Sequence, residues 1–279
     1  IKPYDGAFEN LPVKQRLSYV ERAHEEVRKS PEILNDMAVY GDQMSEVKLV
    51  NTLGLDLSHT YGGGFMYAMA VAKDASPRSA VEFALSKRPE EIDPVHVGRK
   101  AREEALALVG SKSVKSGKYR VILRNDVFSD ILSLLISMVS AENAQKNLSP
   151  LKGKLNEVIA SENFTVKDLP YHPLSINYTP FDSQGVPTRE KVVIDRGTFK
   201  TFLHNLKTAK KDGVEPTGNA VGSSIQPINL CVEPGNLDFN GLLERLSDGL
   251  VIIEVEGMHS GANPISGNFS LGAKAFRVE

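Results

Sequence analysis

Cysteine occurs once, at Cys231, so no disulfide can form within the chain. That fits a reducing compartment, and the cytoplasm is the expected location. Long hydrophobic runs are missing. The most apolar stretch, ILSLLISMVS between Asp130 and Ala141, is interrupted by serines and too short to span a bilayer. No secretory leader is visible, although the chain opens on Ile1, so a preceding piece is expected to be absent. A basic excess is missing too. Lys and Arg number 33 against 35 Asp and Glu, a net charge of -2, which argues against a nucleic-acid partner or an anionic membrane surface.

Ready-made catalytic motifs are also scarce. There is no G-x-S-x-G elbow, and Gly62-Gly63-Gly64 is not followed by the Lys-Ser/Thr of a P-loop. The histidines are His24, His59, His96, His172, His204 and His259, and no two lie within five residues. His24-Glu25 is the first half of an H-E-x-x-H zinc helix, but Arg28 and Lys29 stand where the second imidazole belongs, and neither cation binds a metal. Val13, Leu17, Val20, His24 and Val27 follow at helical steps, so His24 is expected to pack on or beside a buried stripe, with Glu25 pointing away. Cys231, alone in NLCVEP, reads as a small buried hydrophobe in a strand.

What is present suits a soluble globular protein. The 279 residues are 41% hydrophobic and 24% charged, enough for two domains. Residues 11–29 read as a helix with Pro12 in its first turn. Residues 33–74 read as a meander of antiparallel strands punctuated at Gly41-Asp42, Gly54 and Gly62–Gly64. A second helix is predicted from Ser79 to Lys87. A third begins at Asp93-Pro94, carries the stripe Val97, Ala101, Ala105 and Leu108, and closes at Gly110. The polar stretch Ser111 to Lys118 is a linker. Beyond it, YRVILRN reads as a buried strand and DVFSDILSLLISMVSAENAQKN as a largely buried helix. The remainder is β-rich, with turns at Asp182–Gly185 and Asp195–Gly197, and a short helix whose Leu242, Leu243 and Leu246 face inward. The expected fold is α+β, mostly antiparallel β-sheets with packed helices, in two domains: a middle domain over 1–112 and a C-terminal domain over 113–279.

Four segments carry a family resemblance: TPFDSQGVPTREKVVIDRGTFKTFL (179–203), PTGNA (216–220), GANPISGNFSLGAKAFRVE (261–279) and LKGKLNEVIAS (151–161). Together they resemble the TldD/PmbA family, well from about residue 115 onward and only in pattern before it. The resemblance implies that further segments precede Ile1 and follow Glu279. It also implies a peptidase system. TldD-type members carry H-E-x-x-x-H on the helix after the first strand of the C-terminal domain, where the histidines hold a catalytic metal. PmbA-type members, also called TldE, share the fold without that motif. The two types pair, and unfolded peptide or a modified peptide precursor is cut in the space between them. The family's older label, modulator of DNA gyrase, reflects an indirect route.

Counting back from LKGKLNEVIAS, the first histidine slot falls on Leu132, the glutamate slot on Ser133 and the second histidine slot on Ser137. No histidine occurs between His96 and His172, so a shift of register does not restore the motif. A hydroxyl or an alkyl group replaces neither imidazole as ligand nor carboxylate as base. These three residues either pack as core or line the wall of the peptide chamber. The loop before Phe269 likewise has two readings. Its glycines supply positive φ, or its open backbone pairs with an extended peptide, with Asn263, Ser266 and Phe269 as candidate chamber residues. The resemblance therefore implies a PmbA/TldE-type subunit with no catalytic residue, metal or cofactor of its own. A metal such as zinc is expected only in a TldD-type partner, with unfolded peptide as substrate. A homodimeric peptide-binding or regulatory protein without a protease role is the alternative, and a hydrolase using residues not assembled by any motif is a third.

Overall fold

The computed structural model describes residues 4–279 and divides into two compact units. The first runs to Lys115 and includes Tyr171–Thr179; the second comprises Ser116–Pro170 and Pro180–Glu279. Helices and antiparallel sheets share the chain, as the α+β expectation requires. Among the described residues, no helix is long and apolar enough to cross a membrane.

The first unit is a three-stranded antiparallel sheet backed by two helices. Helix α1 spans Val13–Val27. Strands β1 (Ile33–Val50), β2 (Asp56–Ala72) and β3 (Arg78–Ser86) pair in that order, and helix α2 spans Pro94–Ala107. Alternation along β2 sends Met66, Ala68, Ala70 and Ala72 toward the helices, where they are fully buried with Ala23, Val27, Val97, Ala101 and Ala105. Small side chains on facing elements let the helices lie close to the sheet. Asp93 caps α2 by accepting from the amides of Val95 and His96 at 3.0 and 3.2 Å, and Pro94 takes the first turn.

Four expectations fail here. Ser79 to Lys87 is not helical: β3 occupies that span and pairs with β2 from Gly64↔Ser86 to Ala72↔Arg78. The sequence RSAVEFALS alternates, and the ladder offered by β2 decides between the two periods. Gly41-Asp42 and Gly62–Gly64 are not turns but lie inside the β1–β2 ladder, and the chain reverses only around Gly54. Gly64 serves a close approach instead: a Cβ there would lie 2.5 Å from the Phe8 ring. His24 is not packed. The buried stripe of α1 is Tyr19, Ala23, Glu26 and Val27, whereas Val13 and Leu17 are 67% and 57% exposed. The His24 ring lies at the surface and bonds Asp36, which also pairs with Arg28.

The second unit is built of shorter pieces. Strand β4 (Val121–Leu123) leads into helices α3 (Asn125–Met138) and α4 (Ala141–Gln145). Strands β5 (Val166–Asp168), β6 (Lys191–Asp195) and β7 (Thr198–Phe199) follow, then helix α5 (Leu206–Asp212). Next come β8 (Ala220–Val221), β9 (Ser224–Ile225), β10 (Leu230–Val232) and helix α6 (Phe239–Leu246). Strand β11 (Gly249–Glu256), the one-turn helix α7 (Met258–Gly261), β12 (Ala262–Asn263), β13 (Asn268–Phe269) and β14 (Gly272–Val278) complete the chain.

One sheet has the order β10-β5-β6-β7 and another β14-β11-β4, the latter with β4 parallel to β11. β4 is thus an edge strand, with Val121 49% exposed, rather than a buried one. On α6, Leu246 is buried and Leu242 exposed, so only part of the expected stripe faces inward. Cys231 is half-buried, and burial pushes its thiol up from the ordinary value.

Candidate functional site

Helix α3 is held at its start by the sheet before it. The Arg124 amide donates to the Ile252 carbonyl at 3.0 Å, continuing the β4–β11 ladder into the helix. The Arg124 guanidinium makes two 2.7 Å bonds to Asp126, which lies in the positive first turn. Val127 packs beneath, against Leu250 and Ile252 of β11. At the other end Leu135 and Met138 lean on the core of Val166, Val193, Ile194, Phe199 and Leu203.

Between these anchors α3 is not buried, contrary to the sequence expectation; Val127 is its buried residue. The apolar side left over forms one wall of a cavity of about 570 Å³. Phe128, Ile131, Leu132, Leu135 and Met138 line that wall. The opposite side comes from the loop after α4 (Leu151, Val158, Ile159, Phe164) and from Gly267 and Phe269. Phe128 and Phe164 meet edge to face, with centroids 6.1 Å apart, and fix one end. Lys154 and Glu157 are the charged residues in the lining.

The three slot residues do not act together. Leu132 faces the cavity. Ser133 is exposed, and its Oγ donates to the Asp130 carbonyl at 2.6 Å. Ser137 is half-buried, and its Oγ donates to the Leu134 carbonyl at 3.3 Å. Both hydroxyls are spent on their own helix. A family metal would need imidazole or carboxylate donors on this wall, and alkyl and hydroxyl groups stand there instead, so these residues do not fit one. Among the described residues, no three His, Cys, Asp or Glu side chains gather at one point.

The Gly/Ser/Asn loop forms the β12–β13 hairpin, paired Ala262↔Phe269 and Asn263↔Asn268. Asn263 Oδ1 accepts from the amides of Ile265 and Ser266 at 2.9 and 3.2 Å, and Ser266 Oγ accepts from the Asn268 amide at 3.3 Å. Gly267 completes the turn at φ +75°. Asn263 and Ser266 thus shape the hairpin, while Phe269, 55% exposed, reaches the cavity. Of the six residues singled out in the sequence, the fold brings Leu132 and Phe269 to one place. Val158, Ile159 and Phe164 were missed, because a loop carries no periodicity to mark them.

The second unit also holds a buried polar network. Asp168 is fully buried and meets the Lys191 ammonium at 3.1 Å. It also accepts from the Ile228 and Asn229 amides at 2.8 and 2.9 Å and from Asn219 Nδ2 at 2.8 Å. Lys191 further donates to the carbonyls of Arg189 and Thr217 at 2.6 and 3.1 Å. Burial pushes the Lys191 ammonium down from its ordinary value, and Asp168 opposes that. Asp182 accepts from the amides of Gln184, Val186 and Ala220. The 179–203 and PTGNA segments are therefore tied to each other by buried hydrogen bonds.

These segments match known proteins. The PmbA/TldA metallopeptidase central domain matches residues 6–109, and the PmbA/TldA metallopeptidase C-terminal domain matches residues 116–279. A metalloprotease PmbA homolog from Buchnera aphidicola subsp. Acyrthosiphon pisum is 29% identical over 215 residues, covering 76% of this chain and 47% of that protein. A crystal structure from Thermotoga maritima, described as a proposed modulator of a DNA gyrase, superposes with a TM-score of 0.98 at 49% identity, over 100% of this chain and 65% of that one. TldE from Thermococcus kodakarensis superposes with a TM-score of 0.85 at 26% identity, over 100% of this chain and 65% of that one. The chain spans about half the length of the curated relatives it matches. With both domains matched in order, the chain belongs to the PmbA/TldA metallopeptidase family.

Proposed function

We propose that this chain is a metal-free, TldE-type subunit that supports cleavage of unfolded peptides by a TldD-type partner. The observation that carries the reading is the wall of α3. Where the metal-binding type presents imidazole and carboxylate, this helix presents Leu132 to an apolar cavity and turns Ser133 and Ser137 back on its own carbonyls. Such a wall offers no Lewis acid and no general base. It can shelter the apolar side chains of an unfolded peptide and keep water from them. Backbone pairing and apolar burial suit extended chains of varied sequence, as peptide precursors are.

The test is reconstitution. The full-length protein and a TldD-type protein from the same genome are purified alone and together, and hydrolysis of an unfolded peptide is followed. Cleavage is expected only from the pair, with metal only in the partner. Equal partner activity with this subunit left out overturns the supporting role. Stoichiometric zinc in the isolated full-length subunit, by elemental analysis, overturns the metal-free assignment.

A further inference from the structure

Asp168, Lys191 and Asn219 come from three stretches of the second unit and are all buried. Asp168 on β5 and Lys191 on β6 are cross-strand partners, and Asn219 is the residue before β8. The two carboxylate oxygens of Asp168 divide their partners. Oδ1 accepts from the Ile228 and Asn229 amides. Oδ2 accepts from both the Lys191 ammonium at 3.1 Å and Asn219 Nδ2 at 2.8 Å. An amine and a carboxamide are thus held on one oxygen, away from water.

The carboxamide is fixed in orientation. Its Nδ2 also donates to the Gln226 carbonyl at 2.9 Å, so a flip would cost both bonds. Its Oδ1, by contrast, is buried with no hydrogen-bond partner. Lys191 is fixed as well. As an ammonium it has three N–H bonds, and these go to Asp168, Arg189 and Thr217. When one proton passes to Asp168, the other two stay on the carbonyls. The lone pair that appears points along the bond just vacated, at the oxygen that also holds Asn219. Burial favours the neutral amine, against the pull of Asp168. A desolvated lysine amine is a nucleophile, and a partner held beside it replaces a bimolecular encounter.

We propose that Lys191 and Asn219 become joined by an isopeptide bond, with Asp168 carrying the protons. The Nζ lone pair forms the bond to Cγ of Asn219, and the carbonyl pair moves onto Oδ1. Asp168 gives its proton to Nδ2 and takes one from Nζ in return. The carbonyl re-forms, the Cγ–Nδ2 bond breaks with its electrons on nitrogen, and ammonia leaves. One ammonium, one carboxylate and one carboxamide become one secondary amide, one carboxylic acid and one ammonia. No oxidant or further reactant is needed. Asp168 ends neutral, so no charge remains unpaired in the core, and it holds a proton for the oxygen that lacked a donor. The bond would tie β6 to the PTGNA segment and restrict the unfolded chain, as a disulfide does, in a protein with one cysteine. This inference does not use the reading of the α3 cavity.

The test is the intact mass of the purified full-length protein. It is expected to fall about 17 Da below the mass of the sequence, the weight of one ammonia. Trypsin does not cut after an acylated lysine, so the digest is expected to hold a branched peptide joining 190–196 to 212–245. Lys191→Gln and Asp168→Asn are each expected to keep their full sequence mass. A wild-type protein at full sequence mass overturns the inference. So does a loss of ammonia that persists in Lys191→Gln, or one that maps to another asparagine or to an unbranched peptide. Complete cross-linking in Asp168→Asn overturns the proton-carrying role.

Discussion

Strands β1 and β2 of the first unit run 18 and 17 residues, whereas those of the second unit's four-stranded sheet run from two to five. Long strands secure themselves by the ladder and by alanines interleaved with two helices. Short strands cannot, since each contributes few ladder bonds and little apolar area. The second unit makes up the difference with buried polar ties: Asp168 with Lys191 and Asn219, Asp182 with Ala220, and Thr217 with His204. The first region rests on one close-packed core, whereas the second adds hydrogen-bond connectivity to smaller apolar clusters. The candidate cavity lies in the second region, lined by α3, the loop after α4 and the β12–β13 hairpin.

Breaking the polar ties gives the largest expected effect. Asp168→Ala leaves the Lys191 ammonium buried without its counter-charge and removes the acceptor for two amides, a loss of about 3–5 kcal/mol. Urea unfolding of the full-length protein measures it. The double variant Asp168→Leu with Lys191→Met is expected to lose less than Asp168→Ala alone, because no buried charge remains unpaired. A double variant as unstable as the single one would show that the amide bonds, not the ion pair, hold this region.

The packing side is sharpened by Gly98→Ala. A Cβ at Gly98 would lie 2.3 Å from the Ala23 carbonyl oxygen and 2.9 Å from Glu26 Cβ, so α1 and α2 must separate. The expected cost is about 1–3 kcal/mol, read as a lowered Tm. An unchanged Tm would mean that the helices are not held as closely as the buried alanines require.

The smallest effect is on pH. His204 is buried, its Nδ1 has no hydrogen-bond partner, and burial holds its pKa below the ordinary value, with Asp212 acting against that. The folded chain therefore binds this proton less readily than the unfolded chain. Its contribution to stability is complete above about pH 6.5 and is lost as pH falls through the lower folded value. Tm followed through that window should fall on acidification, and His204→Gln should flatten the slope. An identical slope in the variant would assign it to other groups.

Legibility in the sequence followed the range of the interactions. Asp93-Pro94 and the turns at Asp182–Gly185 and Asp195–Gly197 are read correctly, because cap and turn chemistry is complete within four residues. Ser79–Lys87 is misread, since its period is ambiguous until β2 is beside it. His24 is misread for a related reason. Two stripes can be drawn on α1, and only the positions of the sheet and of α2 choose Tyr19, Ala23, Glu26 and Val27. At the site, counting from the 151–161 segment picks out Leu132 only as a slot without its imidazole; the fold puts it at the cavity, and the loop residues that face it have no pattern to betray them.

What the sequence determined by itself is chemical: the family segments, the local caps and turns, and a helix with no imidazole at any register between His96 and His172. What only the tertiary structure decided is which of those residues meet. Leu132 and Phe269 are 137 positions apart (269 − 132), and they share a cavity because the β11 ladder and the β12–β13 hairpin return the chain to α3. Side-chain chemistry is a property of a single position, whereas proximity across that separation depends on long-range pairing that no local stretch encodes.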